Sequence, residues 1–187
     1  MINKIIHSFD EIKCQKLFED FIFIHWTEKE IKDFIEKNYK DKLKFYDNIN
    51  FYLKKDFVKA CLLHRYGGIF INKNLDIQKN FYNNLDPVRL NILERYENNQ
   101  IQLDDSMVAI ENNMQGLMLI LDDIINDSLF ENVNKSNYTE YGFLKSAKEL
   151  YKNSRHAYKV LPHTQFNVKQ TDINLYNKEQ IYIINGF

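Results

Sequence analysis

The chain has 187 residues, a formal net charge of −1 and a hydrophobic content of 44%, with 14 Phe and 12 Tyr. A chain of this length can bury a sizeable core, so we predict a single domain spanning residues 1–187. No segment is dominated by Lys and Arg. This argues against a nucleic-acid partner, because nucleic-acid-binding proteins usually carry a basic face.

The apolar segments and the cysteines indicate the cellular compartment. The longest apolar segment, Leu117–Ile125, contains Asp122 and Asp123, so the sequence predicts no membrane-spanning helix. Cys14 and Cys61 have no zinc-like spacing, and Cys61 falls on an apolar helix face. Free cysteines of this kind are typical of a reducing compartment, so we expect a cytoplasmic protein.

The first part of the chain predicts alternating strands and helices. A strand, a helix and a second, buried strand are expected over Asn3–Phe9, Glu11–Asp20 and Phe21–Trp26. Thr27 and Glu30 then match a capping box, in which each side chain bonds the other residue's amide. The helix that they begin is expected to end near Asn38.

The segment from Phe51 to Lys79 is predicted to form a helix, a glycine turn and a strand. Apolar residues recur at helical spacing over its first part, at Leu53, Phe57, Val58, Cys61 and Leu62. Asp56 and Lys59 lie three residues apart on another face, where they form either a surface ion pair or part of a ligand site. Gly67-Gly68 should end the helix, since glycine adopts a left-handed conformation without steric penalty.

Polar residues follow the strand predicted at 69–71. Asn72, Asn74 and Asp76 alternate along its expected continuation, so their side chains should point to the same side. Further along, we predict strands at Val88–Tyr96, Ala157–Leu161 and Gln165–Val168, and helices at Gln115–Ser128 and Tyr138–Asn153.

This pattern resembles the glycosyltransferases that carry the DXD sugar-binding motif, a group with clostridial glucosylating toxins, yeast initiating mannosyltransferases and bacterial capsule transferases. Relatives have Asp-x-x-Arg, a leucine-rich turn, and then two glycines before a hydrophobic residue and Tyr-x-Asp-x-Asp. Asp56 and the glycine pair match, whereas Lys59 stands in place of Arg and Phe70 in place of Tyr. Asn72 and Asn74 fall on the two aspartates, so the motif is degenerate.

The resemblance implies an α/β fold of the GT-A type: a mainly parallel, Rossmann-like sheet flanked by helices, with the ligand cleft at the carboxyl ends of the strands. It implies transfer of a hexosyl group from a nucleotide sugar to a glycan or lipid-linked acceptor, with retention. Such enzymes use Mn²⁺ or Mg²⁺ at the DXD carboxylates, and here Asn74 and Asp76 are the candidate ligands. A membrane-free member suggests a bacterial cytoplasm or the cytosol of a virus-infected host.

The resemblance also assigns the other candidate site residues. Asp56, Lys59, Gly67, Gly68, Asn72 and Asn74 would bind the donor. His7 belongs to a family-like Lys-Ile-Ile-His opening and is either a donor contact or structural. Trp26 is either a core residue or part of the donor pocket. Asp104 and Asp105 begin a family-like segment, in which Asp105 would flank the reaction centre, unless the segment is a solvated loop.

The departures from the motif favour a different class of function. Asp10 stands where relatives carry a tryptophan that stacks on the nucleotide base, Lys59 replaces Arg, and two Asn replace the DXD aspartates. A late His-x-x-x-Ser-Trp-like motif is also missing. The alternative is therefore a catalytically inactive protein of the same fold, which binds a sugar or a partner glycosyltransferase in glycan assembly.

Overall fold

The computed structural model describes residues 1–129 and 142–185, apart from the side chains of Tyr52, Asp127, Ser128 and Leu129. The strands in these ranges are β1 (Ile5–Ser8), β2 (Ile22–His25), β3 (Gly68–Ile71), β4 (Leu75–Ile77), β5 (Leu90–Glu97), β6 (Gln100–Ile110), β7 (Tyr158–Leu161), β8 (Val168–Lys169) and β9 (Ile183–Asn185). The α-helices are α1 (Glu28–Asn38), α2 (Leu43–Asn48), α3 (Phe51–Tyr66), α4 (Gln115–Leu129), α5 (Gly142–Asn153) and α6 (His163–Phe166). The first residues of the helix predicted from Tyr138 lie outside the described ranges.

The main sheet has six strands in the order β2-β1-β3-β6-β5-β7. β1 runs parallel to β2 and β3, β6 runs antiparallel to β3 and β5, and β7 runs parallel to β5. All strands of this sheet except β6 therefore point the same way. The predicted α/β fold with a mainly parallel sheet is confirmed.

Two hydrophobic cores cover the two faces of the main sheet. Helices α1 to α5 pack on one face through Phe70, Ile92 and Val108. The other face buries Ile69 and Ile71 against the loops and the second sheet. Successive residues of a strand point to opposite faces, and both faces here are covered, which explains why β3 is apolar at every position.

A second, three-stranded sheet has the order β4-β9-β8 and packs against the second core. β4 pairs antiparallel with β9, which comes from the far end of the chain. β9 was not predicted from the sequence. Its three residues carry too little local pattern, and their pairing partners are distant in sequence.

Two predicted elements near the start of the chain need correction. The helix expected over Glu11–Asp20 is only a 3₁₀ turn at Gln15–Leu17, because Cys14 and Phe18 reach the core from a turn. The strand expected to be buried over Phe21–Trp26 is β2 at the edge of the main sheet, where Ile22 is 62% exposed.

A third correction concerns the strand predicted over Gln165–Val168. Pro162 instead begins the short helix α6, in which Phe166 is buried, and pairing resumes only at β8. The other predicted helices are present, and Thr27 and Glu30 form the expected capping box on α1. None of the helices in the described ranges is both long and apolar enough to span a bilayer.

Candidate functional site

The carboxyl ends of the parallel strands meet at one edge of the main sheet. Phe9 follows β1, Trp26 follows β2 and Asn72 follows β3 at this edge. β6 runs the other way and joins β3 here, where the Asn72 amide donates to the Ser106 carbonyl over 2.8 Å. Ligands of open α/β sheets bind at this edge, so we expect the functional site here.

An interruption in β6 directs Asp105 toward α3. Ile92 of β5 pairs with Val108, but the next residue, Leu93, pairs with Asp104, which leaves Asp105 to Met107 without partners on β5. Such bulges re-aim side chains beside functional sites. The Asp105 carboxylate accepts a hydrogen bond from Lys59 Nζ on α3.

Asp56, Lys59 and Asp105 form one cluster, which we call the carboxylate cluster. The Lys59 ammonium bonds Asp105 and lies 3.4 Å from Asp56 Oδ1. The Lys59 side chain is 5% exposed, whereas the Asp56 and Asp105 side chains are 28% and 20% exposed. The two carboxylates are therefore partly exposed to solvent, whereas the ammonium that they share is buried.

Burial and charge act against each other in the carboxylate cluster. Burial raises the pKa of Asp56 above its ordinary value, and nearby Asp105 adds to the rise, while Lys59 opposes it. Burial alone would lower the pKa of Lys59, but Asp105 and Asp56 outweigh it and the pKa lies above its ordinary value. Lys59 thus stays charged and holds two carboxylates in place.

The first turn of α5 contacts the carboxylate cluster. Phe143 N donates to Asp56 Oδ2 over 3.1 Å, so Asp56 occupies the helix N-terminus, where a negative charge is favourable. The Phe143 ring centroid lies 4.8 Å from Lys59 Nζ. Gly142 has φ +78° and a Cβ there would meet Asp56 Oδ2 at 2.3 Å, so glycine is required for this close approach.

A cavity of about 270 Å³ opens at the same edge of the sheet. Its wall includes aromatic rings and two lysines, and its lining is Phe9, His25, Trp26, Thr27, Glu28, Ile31, Tyr46, Phe51, Lys54, Lys55 and Val58. Lys55 Nζ lies 5.0 Å from the Phe51 ring centroid and 6.0 Å from that of Phe9. Phe9 links the cavity to the carboxylate cluster, because its ring packs against Phe70, whose ring centroid lies 5.8 Å from Lys59 Nζ.

His7 contacts Trp26, which lines this cavity, and His7 is fully buried. Its Nδ1 accepts from Trp26 Nε1 over 3.1 Å, so the neutral ring carries its proton on Nε2, which donates to the Gly67 carbonyl over 2.9 Å. Burial lowers the pKa of His7 to about 4. Both ring nitrogens are bonded within the protein, which favours the structural one of its two predicted roles.

The glycine pair fixes where β3 begins. Gly67 and Gly68 have φ of +62° and +95°, and a Cβ on Gly68 would meet the Ile5 carbonyl oxygen at 2.5 Å. Glycine thus lets β3 pair closely with β1. In the described structure these two residues lie at the amino end of β3, whereas the carboxylate cluster lies toward its carboxyl end.

The prediction that Asn72, Asn74 and Asp76 share one side of a strand is wrong. The chain turns after β3, with Leu75 N donating to the Asn72 carbonyl over 3.3 Å, and Asp76 lies on β4 of the second sheet. Alternation along one strand therefore does not apply. Asn74 and Asp76 instead line a cavity of about 350 Å³ with Glu11 and Lys73.

Asp76 is the one carboxylate among the residues predicted to bind Mn²⁺ or Mg²⁺. Asn72 and Asn74 are neutral, the exposed Lys73 between them is a cation, and Asp76 belongs to another sheet. No group of three His, Cys, Asp or Glu side chains suited to a metal is found within residues 1–129 and 142–185. Hard cations prefer clustered anionic oxygens, so these residues are weaker ligands than two DXD aspartates would be, and the metal role of Asn74 and Asp76 stays a prediction.

Asp104 and Asp105 lie on different sides of β6. Asp104 is buried, with Oδ1 accepting from Ser106 N over 2.7 Å and Oδ2 from Asn167 Nδ2 over 3.3 Å. Asn167 in turn accepts from Asn185 Nδ2 over 3.0 Å. Asp104 therefore joins the two sheets, and of the pair it is Asp105 that contacts Lys59.

Several contributors to the site were not predicted from the sequence, and three of them contact its charged groups or its cavity. Phe51 and Lys55 line the cavity, and Phe143 covers Lys59. Lys55 was detectable in principle because it adjoins Asp56. The contact of α5 with Asp56 depends on tertiary packing, which no local pattern reveals.

No protein-family model matches the sequence, and no curated protein matches it. The structure is similar to that of the PaToxG glycosyltransferase, with a TM-score of 0.59 and 16% identity over 81% of this chain and 70% of that chain. A glycosyltransferase involved in the glycosylation of the major capsid of PBCV-1 gives a TM-score of 0.47 and 8% identity, over 97% of this chain and 91% of that chain. The first similarity shows that the chain has a glycosyltransferase fold; the second is too weak to support an inference.

Proposed function

We propose that the protein transfers a hexosyl group from a nucleotide sugar to a hydroxyl of an acceptor, with retention as the sequence resemblance implies. The observation that carries this proposal is the carboxylate cluster at the carboxyl edge of a glycosyltransferase fold, next to an aromatic cavity. The glycan or lipid-linked acceptor and the cytoplasmic location predicted from the sequence belong to the same proposal.

The cavity has the chemistry to bind a nucleobase. Its rings offer stacking surfaces, and Phe9 also packs edge-on against Phe70 with centroids 4.8 Å apart. The Phe70 ring centroid in turn lies 5.8 Å from Lys59 Nζ of the carboxylate cluster. A nucleotide sugar with its base in the cavity would therefore extend toward Asp56 and Asp105.

Asp56 and Asp105 would then accept hydrogen bonds from sugar hydroxyls. Both side chains are partly exposed, and Lys59 keeps both carboxylates oriented. Charged acceptors form stronger hydrogen bonds than neutral ones, so the pair would fix the sugar ring in the reactive geometry. In this role Lys59 is a positioning residue.

Lysine side chains would offset the charge of the departing diphosphate. Lys55 borders the cavity, and Lys73 Nζ lies 3.8 Å from Asp10 Oδ1 at the carboxyl edge, with its side chain 69% exposed. Both cations can approach a diphosphate that links the cavity to the carboxylate cluster. The predicted role of Asn74 and Asp76 as ligands of Mn²⁺ or Mg²⁺ stays a prediction, and no step proposed here depends on it.

A donor panel with matched variants tests the proposed function. Release of nucleoside diphosphate from nucleotide sugars should be detectable with one donor, and Asp56→Asn and Asp105→Asn should each lower kcat/KM by about 100-fold, since each removes a charged group at the reacting sugar. Asp122→Asn, at an exposed position of α4, is the control and should leave kcat/KM unchanged. Wild-type activity in both site variants would refute the assignment.

A catalytically inactive binding protein is the second candidate, and one observation favours it. Lys59 and Asp56 are already engaged with each other, with Asp105 and with α5, so the groups expected to bind sugar already have internal partners. In this case the cavity would bind a nucleotide sugar without turnover, or the protein would support a partner glycosyltransferase. Donor binding without release of nucleoside diphosphate by folded protein would favour this candidate.

A further inference from the structure

A groove of about 520 Å³ runs between the β5–β6 hairpin and α5. We call it the α5 groove, and its lining is Ile101, Gln102, Leu103, Lys145, Lys148, Glu149, Tyr151 and Lys152. None of these residues belongs to the carboxylate cluster or to the aromatic cavity. The groove is thus a separate surface feature, with its own chemistry.

The helix side of the groove is basic. Lys145, Lys148 and Lys152 are spaced three and four residues apart, so they follow one face of α5. Glu149 is the one acidic residue among the described residues of the lining, and it pairs with Lys152 over 2.9 Å. The groove residues therefore carry a net positive charge, which suits an anionic partner.

The strand side of the groove is an open sheet edge. β6 pairs with β5 over Gln100 to Asp104, but it pairs with β3 only from Met107 onward, and in the described ranges no other strand pairs with that earlier part. Three consecutive residues of β6 line the groove, namely Ile101, Gln102 and Leu103. Alternate side chains of a strand point to opposite faces, so side chains of one face alone cannot account for this lining. The groove is thus bordered by the strand edge itself, and Ile101 is 61% exposed there.

We propose that the α5 groove binds an extended acidic peptide of another protein, added as a strand to the free edge of β6. Main-chain hydrogen bonds to an open edge and side-chain contacts in the adjoining groove are the two components of strand addition. The lysine row selects acidic side chains, and Ile101 and Tyr151 offer apolar contacts between them. An acidic glycan would use the lysines but leave the strand edge unpaired.

The groove is directed toward the carboxylate cluster. Leu103 lies two residues before Asp105, and α5 begins at the contact between Phe143 and Asp56. A bound peptide would present a side-chain hydroxyl at the inner end, where Asp56 and Asp105 disfavour acidic residues. Transfer would break the bond between the anomeric carbon and the diphosphate and form one to the hydroxyl oxygen, whose proton leaves with the diphosphate. This last step rests on the proposed hexosyl transfer, with a protein hydroxyl in place of the glycan or lipid-linked acceptor, whereas the docking does not.

Fluorescence anisotropy without any nucleotide sugar tests the docking alone. The probe is a fluorescein-labelled peptide of alternating Glu and Thr, about eight residues long to match a typical strand. We expect saturable binding to the wild type, and an affinity weakened about tenfold for a peptide in which Gln replaces Glu. A third peptide, with alternate backbone nitrogens methylated, keeps its charge but cannot pair as a strand, and should also bind about tenfold more weakly.

Charge reversal on the protein locates the binding. Lys148→Glu should weaken the Glu-Thr peptide about tenfold, whereas Lys37→Glu, at an exposed position near the end of α1, should not. Unfolding curves of both variants check that they are folded. The proposal would be overturned if the methylated peptide bound equally well, if the two variants had equal effects, or if no peptide bound at all. Full competition by polygalacturonate at equal charge concentration would overturn it as well.

Discussion

Lys59 holds the candidate site together at the scale of single residues. It carries a buried charge with two carboxylate partners, and removing one partner of a buried ion pair typically costs about 3–5 kcal/mol. Lysine in place of arginine changes what this position can do. A guanidinium would reach a ligand with a planar fork, whereas this buried ammonium contacts Asp56 and Asp105 and orients them.

His7 is the second informative residue, because it links β1 to the glycine turn through its neutral ring. Its folded pKa of about 4 lies below the ordinary value of 6.5. The unfolded chain therefore binds a proton more readily between these pH values, and protonation favours unfolding. The stability that neutral His7 supplies is complete above about pH 6.5 and is lost as the pH falls through about 4.

This pH dependence gives a prediction for His7→Gln, which keeps a donor and an acceptor at this position but does not titrate. Between pH 6.5 and 4 the wild type should lose about 3 kcal/mol more of its free energy of unfolding than the variant does. Urea unfolding at a series of pH values measures the difference. Parallel pH profiles for the two proteins would show that His7 titrates normally and is not held neutral.

At the scale of elements, local pattern predicted the unit from α3 to β3 and failed where pairing is distant. The apolar spacing from Leu53 to Leu62, the glycine pair and the apolar run of β3 are all local signals, and each element is present. β4 and β9 pair although they lie far apart in the sequence, so local pattern predicted neither their pairing nor the turn at Asn72. The position of Asp105 was inferred only through the family resemblance, because the bulge that directs it depends on β5.

The junction of α5 with the site yields a prediction with a matched control. Gly142→Ala places a Cβ against Asp56 in a left-handed conformation, so it should lower the free energy of unfolding by about 2 kcal/mol and displace Asp56. Gly116→Ala, in the first turn of α4, meets no atom within 4 Å and should be neutral or slightly stabilising. Urea unfolding compares the two variants.

If Gly142→Ala proves as stable as Gly116→Ala, the N-terminal turn of α5 does not approach Asp56 as closely as described. Loss of stability without loss of donor affinity would separate the packing role of this glycine from the sugar-binding role proposed for Asp56. The two measurements together thus distinguish a structural contact from a functional one.

At the scale of the whole molecule, three features lie along one path. The aromatic cavity at β1 and β2 connects through Phe9 and Phe70 to the carboxylate cluster of α3 and β6. Helix α5 contacts that cluster in its first turn and borders the α5 groove further along. Donor and acceptor sites on either side of a reaction centre are what group transfer requires. The sequence resemblance led to the centre of this path, whereas the cavity and the groove emerged only from packing.

The measurement that tests the central claim most directly is calorimetric titration of the protein with a panel of nucleoside diphosphates, in EDTA and in Mn²⁺. We predict that one nucleotide binds in EDTA, and that Phe51→Ala weakens it at least about tenfold by removing an aromatic wall of the cavity. Binding that requires Mn²⁺ would keep the nucleotide site but restore the metal role of Asn74 and Asp76. No binding by any nucleotide under either condition, from protein shown to be folded, would contradict the proposal that this cleft is a nucleotide-sugar site.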